Sequence, residues 1–139
     1  MAFTDEETEY LRSQRIARIA TVDSAGQPDV APVGFEFDGT YVYIGGFDVT
    51  RTRKFRNVEA GNDKVAIVVD DIVSADPWTP RFLRIYGVAE LIERPGQPGA
   101  GPCLRITPTV SWSWNLAGRP FRHGGDDDSD FRPRRTVHV

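Results

Sequence analysis

The segment Thr50-Arg51-Thr52-Arg53-Lys54-Phe55-Arg56 places four cations and two hydroxyl side chains within seven residues. At a helix start that combination suits a phosphate. Unpaired backbone N–H groups and the helix dipole attract an anion, Arg and Lys neutralise it, and Thr hydroxyls add hydrogen bonds. The same residues equally describe a solvated basic helix face, and composition alone does not choose between the two. Upstream, Ala31-Pro32-Val33-Gly34 and Ile44-Gly45-Gly46 carry small side chains on adjacent hairpin strands. Small residues let a flat ring approach the backbone, and Gly or Pro inside a strand marks close approach, an edge or a bulge. Gly45-Gly46 also reads as a simple strand end. Trp78, in the loop Asp76-Pro77-Trp78-Thr79-Pro80, is a candidate pocket lid, whereas Trp112 and Trp114 alternate along a strand and read as packing residues.

Other chemistries are poorly supplied. Cys103 is the single cysteine, so it forms no internal disulfide, and with only His123 and His138 beside it no zinc-ligand spacing exists. It follows a Pro/Gly loop and reads as a small buried hydrophobe. No Ser/His/Asp set and no carboxylate pair in an apolar setting can be assembled, so no catalytic side chain is assigned. The run Asp126 to Asp130 reads as a solvated loop. Chemistry in this chain therefore has to come from a bound cofactor.

The elements that must position these residues follow from periodicity. Thr4 and Glu7 form a capping box, with Asp5 and Glu6 in the first turn, for a helix running to about Gln14. Ile16 to Thr21 is a small-residue strand that can be covered on both faces. After the turn at Asp23-Ser24-Ala25-Gly26, Pro28 to Phe37 reads as a strand with Val33, Phe35 and Phe37 on one face, and Asp38-Gly39 signals a two-residue hairpin into Thr40 to Gly46. The period then changes: Thr50 to Ala60 is a helix with Phe55 and Val58 inward, Thr50 as N-cap and Gly61 as stop. Lys64 to Asp70 and Arg81 to Glu93 are further strands, and Cys103 to Leu116 is one long strand or a pair. Pro95 to Pro102 is a loop, Gly118 to Asp130 a mobile excursion, and Phe131 to Val139 closes the chain. Six or more strands with two short helices describe a small antiparallel barrel with helices at its edges.

Length and charge bound the rest. The 139 residues, 40% apolar and 27% charged, make one domain. A chain of this size buries roughly 68% of its unfolded surface, enough for one core, so a deep ligand site calls for a partner subunit. The longest apolar run, Val65 to Val69, is far short of the ~20 residues of a membrane span. The acidic start MAFTDEETEY is unlike a signal peptide, and a cytoplasmic protein is expected. A net charge of −3 argues against general nucleic-acid binding.

The ordered set Arg15-Ile16-Ala17-Arg18-Ile19-Ala20-Thr21-Val22-Asp23, Gly26-Gln27-Pro28, Val30-Ala31-Pro32-Val33-Gly34-Phe35, Tyr41-Val42-Tyr43-Ile44, Thr52-Arg53-Lys54 and Asn57 resembles the pyridoxamine 5′-phosphate oxidase-like split-barrel flavoproteins. Within them it is most similar to the actinobacterial coenzyme F420-dependent oxidoreductase class. Trp78, Arg84-Ile85-Tyr86-Gly87-Val88-Ala89-Glu90, Ile106-Thr107-Pro108, Ser111-Trp112 and Pro133-Arg134-Arg135-Thr136-Val137-His138 extend the likeness over nearly the whole chain. The resemblance implies a mainly β, six-stranded antiparallel split barrel that dimerises, with cofactor sites between the subunits. It implies that Arg53 and Lys54, with Thr52 and Arg51, hold the cofactor phosphate. Ala31, Pro32, Val33, Ile44 and Gly45 would line the ring system, and Trp78 would reach the substrate from the other subunit. Pyridoxamine-phosphate oxidases carry a basic residue at each end of the segment matching Asp29 to Gly34, and this chain has neither. The resemblance therefore favours coenzyme F420, with flavin mononucleotide (FMN) as the alternative, and hydride transfer to a conjugated C=C of a planar small molecule. A haem- or tetrapyrrole-binding module on the same barrel is the non-enzymatic alternative.

Overall fold

The computed structural model describes residues 2–95, 101–121 and 131–139. The acidic run Asp126 to Asp130, His123 and most of the excursion expected at Gly118 to Asp130 lie outside the described residues, as does part of the Pro95 to Pro102 loop. Helix α1 (Asp5–Ser13) starts where its capping box predicts: Thr4 Oγ1 accepts from Glu7 N at 3.1 Å and Glu7 Oε1 accepts from Thr4 N at 2.9 Å. It buries Tyr10 and Leu11 against the sheet. The Tyr10 hydroxyl donates to Asp71 Oδ1 at 2.8 Å, and Arg81 clamps the same carboxylate through Nε at 2.8 Å and Nη2 at 3.0 Å. The Arg81 hydrogen bonds hold the Asp71 carboxyl below its ordinary range.

Eight strands follow among the described residues: β1 (Ile16–Val22), β2 (Pro28–Gly34), β3 (Glu36–Phe37), β4 (Val42–Ile44), β5 (Lys64–Ser74), β6 (Thr79–Arg94), β7 (Gly101–Trp114) and β8 (Arg134–Val137). They form one sheet in the order β2-β1-β5-β6-β7-β4-β3, with β8 also on β7, and every pairing is antiparallel. The six strands of the expected barrel are thus joined by two short ones, β3 and β8. Strands β2 and β3 stand at opposite ends of this path, yet only Phe35 separates them in sequence. Consecutive Cα atoms are about 3.8 Å apart, so the sheet must curl until its two margins meet. The result is a mainly β half-barrel with a helix at each end, whose interior holds Leu11, Ile19, Ile44, Ile67, Leu83, Ile85 and Leu104.

Several boundaries differ from expectation for local reasons. The expected strand Pro28 to Phe37 is two, because the chain changes margin at Phe35. The hairpin after it turns on Gly39-Thr40, one residue later than predicted, since Asp38 Oδ1 takes up the N–H groups of Thr40 and Tyr41, both at 2.8 Å. A 3-10 turn (Val49–Arg51) precedes α2 (Arg53–Glu59), so the N-cap is Thr52 rather than Thr50, and Arg51 is exposed. Strand β1 is covered on one face only: Ala17 and Ile19 are buried and Ile16 is exposed. Cys103 to Trp114 lies within a single continuous strand. The register between β6 and β7 slips at Tyr86/Gly87. A Cβ on Gly87 would sit 2.6 Å from Ile106 Cγ2 and 2.8 Å from the Thr107 carbonyl oxygen, so this bulge admits no larger residue without rearrangement. Among the described residues no helix is long and apolar enough to cross a membrane.

Candidate cofactor site

The cationic segment sits where α2 meets the outer edge of the sheet. Helix α2 is fastened by Phe55 and Val58 in the core and by Asn57, whose buried Nδ2 donates to Thr21 Oγ1 on β1 at 2.9 Å. Thr52 Oγ1 donates to the Val49 carbonyl at 2.6 Å and accepts from Phe55 N at 3.4 Å, so its proton is committed to building the helix start. Arg51, Arg53 and Arg56 are exposed and form no ion pair among the described residues, whereas Lys54 is half-buried. Burial holds the Lys54 ammonium below its ordinary pKa, and the Asp29 carboxylate of β2 works against that shift. Lys54 is thus within electrostatic reach of Asp29, on the edge strand that carries Ala31 and Pro32.

The small-residue wall is split between two surroundings. In β2, Pro28, Val30, Pro32 and Gly34 point outward, Asp29 and Ala31 are half-buried, and Val33 enters the core. Ile44 is fully buried, so Val33 and Ile44 offer a ligand their backbone and not their side chains. Gly45 lines a cavity of about 290 Å³ with Gly34, Phe35, Gly46, Arg94 and Cys103. Its Cβ position lies 3.5 Å from Cys103 Cβ, and burial pushes the Cys103 thiol up, which keeps it protonated. Arg94 closes this cavity, paired with Glu36 and lying 4.2 Å over the Tyr43 ring.

Trp78 is not brought to the cationic segment within one chain. It lies on the β5–β6 turn, 49% exposed beside exposed Ile72 and Val73, and its carbonyl accepts from Phe121 N. Helix α2 rests near Thr21 and Asp29, at the Val65 end of β5, and a strand rising about 3.3 Å per residue puts the turn after Ser74 about 30 Å away. Trp114 packs as expected, stacking on Phe82 at 5.8 Å and touching Phe121 and Phe131, whereas Trp112 meets the exposed Tyr86 ring edge to face.

The residues that sequence reasoning missed lie on the outward face. Reading the pairs across the sheet gives Val30, Ala20, Ala66, Tyr86, Val110 and Val137, one apolar stripe over six strands. Val30 is 69% and Tyr86 45% exposed, and a cavity of about 450 Å³ lies over Ala20, Val22, Ala66, Tyr86 and Val88. The signal was apolar residues on both faces of β1 and β5. A stripe of this kind marks an interaction surface.

A curled antiparallel sheet with a cationic helix start at its edge defines the class of small split-barrel proteins. The pyridoxamine 5′-phosphate oxidase family model matches residues 3–101, and the chain belongs to that family. It is 42% identical over 125 residues to the 5a,11a-dehydrotetracycline/5a,11a-dehydrooxytetracycline reductase of Streptomyces rimosus subsp. rimosus, covering 85% of this chain and 87% of the relative. The fold is shared with a conserved hypothetical protein of Mycobacterium tuberculosis (TM-score 0.67, 19% identity, 93% of this chain and 96% of that one). It is shared also with an F420 reductase (TM-score 0.56, 22% identity, 74% and 93%). The chain is therefore an oxidoreductase of this family acting on a small molecule.

Proposed function

We propose that the chain is a coenzyme F420-dependent reductase that delivers a hydride to a conjugated C=C, or a similar electron-poor carbon, of a planar small molecule, in a site completed by a second copy of the chain. The observation that carries this reading is Lys54, half-buried and within electrostatic reach of Asp29 on the edge strand, with Arg51 and Arg53 beside it in no ion pair among the described residues. That donor set fits a phosphate: cations with free N–H groups, one of them already partly desolvated. In this reading Arg53 and Lys54 grip the phosphate, Arg51 and Thr52 flank it, and the backbone of Ala31, Pro32, Val33, Ile44 and Gly45 carries the ring. When bound, the reduced deazaflavin supplies the hydride. The chain orients the acceptor against it and keeps water out, and placement accounts for most of the rate gain. Trp78 covers the acceptor from the second copy, which its remoteness within one chain requires. In this reading the last proton comes from solvent, because Tyr10 is bonded to Asp71 and burial favours the protonated Cys103 thiol over its thiolate. The named activity of the Streptomyces relative, reduction of a dehydrotetracycline, supports both the reaction type and a planar polycyclic acceptor.

FMN is the second reading, since one phosphate grip serves either coenzyme. The haem-module reading is disfavoured by His138, whose Nε2 lies 2.8 Å from Ser111 Oγ and whose ring packs 4.4 Å from Phe3. Titration of the purified protein with coenzyme F420, FMN and haemin, followed by absorbance and fluorescence, tests the choice. Binding of F420 is expected, and binding of haemin alone would overturn the reductase reading.

A further inference from the structure

We infer that Arg84, on the outward face of β6, is a positioning residue that holds a planar, delocalised oxyanion on an aromatic platform built from Trp112 and Tyr86. Its guanidinium carbon lies 4.3 Å over the Trp112 ring and 5.7 Å from the Tyr86 ring. The two rings meet edge to face at 4.8 Å. Arg18, Arg81, Arg94, Arg105 and Arg134 each pair with a carboxylate; Arg84 pairs with none among the described residues. Its guanidinium therefore rests against the two rings while no carboxylate among the described residues takes its N–H donors. Across the sheet Trp112 stands opposite Arg84 on one side and Arg135 on the other.

Position and shape together name the ligand class. Tyr86 belongs both to this platform and to the apolar stripe, so whatever covers the stripe also takes Arg84 from water. A charge removed from water without a partner is costly, so once a second copy closes over the stripe a ligand held between the copies has to bring Arg84 an anion. A guanidinium stacked by one face on indole presents its other face and an in-plane row of N–H groups. A conjugated ring with two oxygens in its plane, such as an enolised 1,3-dicarbonyl compound, uses both at once. A tetrahedral phosphate uses only the edge, and the phosphate grip lies elsewhere, at the start of α2. The assignment rests on the reading of the protein as a reductase of planar acceptors, and names the oxygenated edge by which such an acceptor is held.

The test is calorimetric titration with 2-acetylindane-1,3-dione, a planar carbon acid ionised at neutral pH, with 9-fluorenone as the neutral planar control and inorganic phosphate as competitor. Wild type is expected to bind the anion more tightly than fluorenone. Arg84→Met should weaken the anion by about tenfold, the loss of one charge-assisted contact, with fluorenone unchanged. Arg84→Lys, which keeps the charge but not the planar fork, should lose most of the same increment, and it decides the matter if Arg84→Met does not fold. Equal binding of both probes, unchanged anion affinity in the variants, a parallel loss of fluorenone, or displacement of the anion by phosphate would each overturn the assignment. A coenzyme F420 titration run alongside separates the two readings. Wild type that binds no deazaflavin but shows the Arg84 effect sinks the reductase reading and upholds the platform.

Discussion

A lysine held half out of water beside an aspartate is easier to neutralise than one on an open surface, and an arriving phosphate reverses that bias. Removing Lys54 or Arg53 with Lys54→Ala or Arg53→Ala should each weaken coenzyme binding by about 1–3 kcal/mol, read by fluorescence titration. Equal affinity in both variants would reduce the segment to a surface face. The pH dependence has a definite sign. Burial depresses the Lys54 pKa from its ordinary 10.5, so between the depressed value and 10.5 the unfolded chain binds more protons and stability rises with pH. Phosphate binding raises the Lys54 pKa again and takes up a proton, so affinity should fall as pH rises through that window. The slope should vanish in Lys54→Ala. The cluster itself was legible from residue types, but which cation turns inward was not. That depends on the N-cap falling at Thr52, after a 3-10 turn, in place of Thr50, which moves every later side chain around the helix axis.

At the scale of elements, periodicity was a good guide wherever one face is buried and a poor one where the chain leaves the repeat. Leu83, Ile85, Gly87 and Ala89 alternate with Phe82, Arg84, Tyr86 and Val88 along the strand, and the structure shows that the first set is the buried one. The break at Phe35 has no sequence signal, because both margins of the sheet demand the same extended backbone. Gly87 looked like any strand glycine, and only the packing of β7 shows what it prevents. Gly87→Ala should destabilise by about 1–3 kcal/mol in urea unfolding, since its Cβ meets backbone as well as the Ile106 side chain. Helix α1 depends on the Tyr10, Asp71 and Arg81 cluster. Arg81→Met leaves the Asp71 carboxylate without its cation and should cost about 1–3 kcal/mol. Because Arg81 lowers the folded pKa of Asp71, the stability it contributes is present above the ordinary carboxylate value and lost as pH falls through the folded one. The acid-unfolding midpoint of Arg81→Met should accordingly move to higher pH.

For the whole molecule, the outward stripe decides whether one chain suffices. A single substitution at its centre, Ala66→Glu, places a carboxylate where two copies would meet and should yield a folded monomer by analytical ultracentrifugation and circular dichroism, with coenzyme binding weakened. A dimer that persists with full affinity would remove the second copy from the site. The sequence implied a partner through chain length and family resemblance but not the face it would cover, since the stripe is assembled from six strands whose register no local pattern specifies. The crossing at Phe35 has a mechanical consequence of its own. A one-residue tether leaves no slack, and loop-closure entropy there is negligible, so thermal gaping of the curled wall must occur anywhere but at this seam. The glycine-lined hollow beside it should therefore hold its width, and a guest has to match that width rather than pry it open.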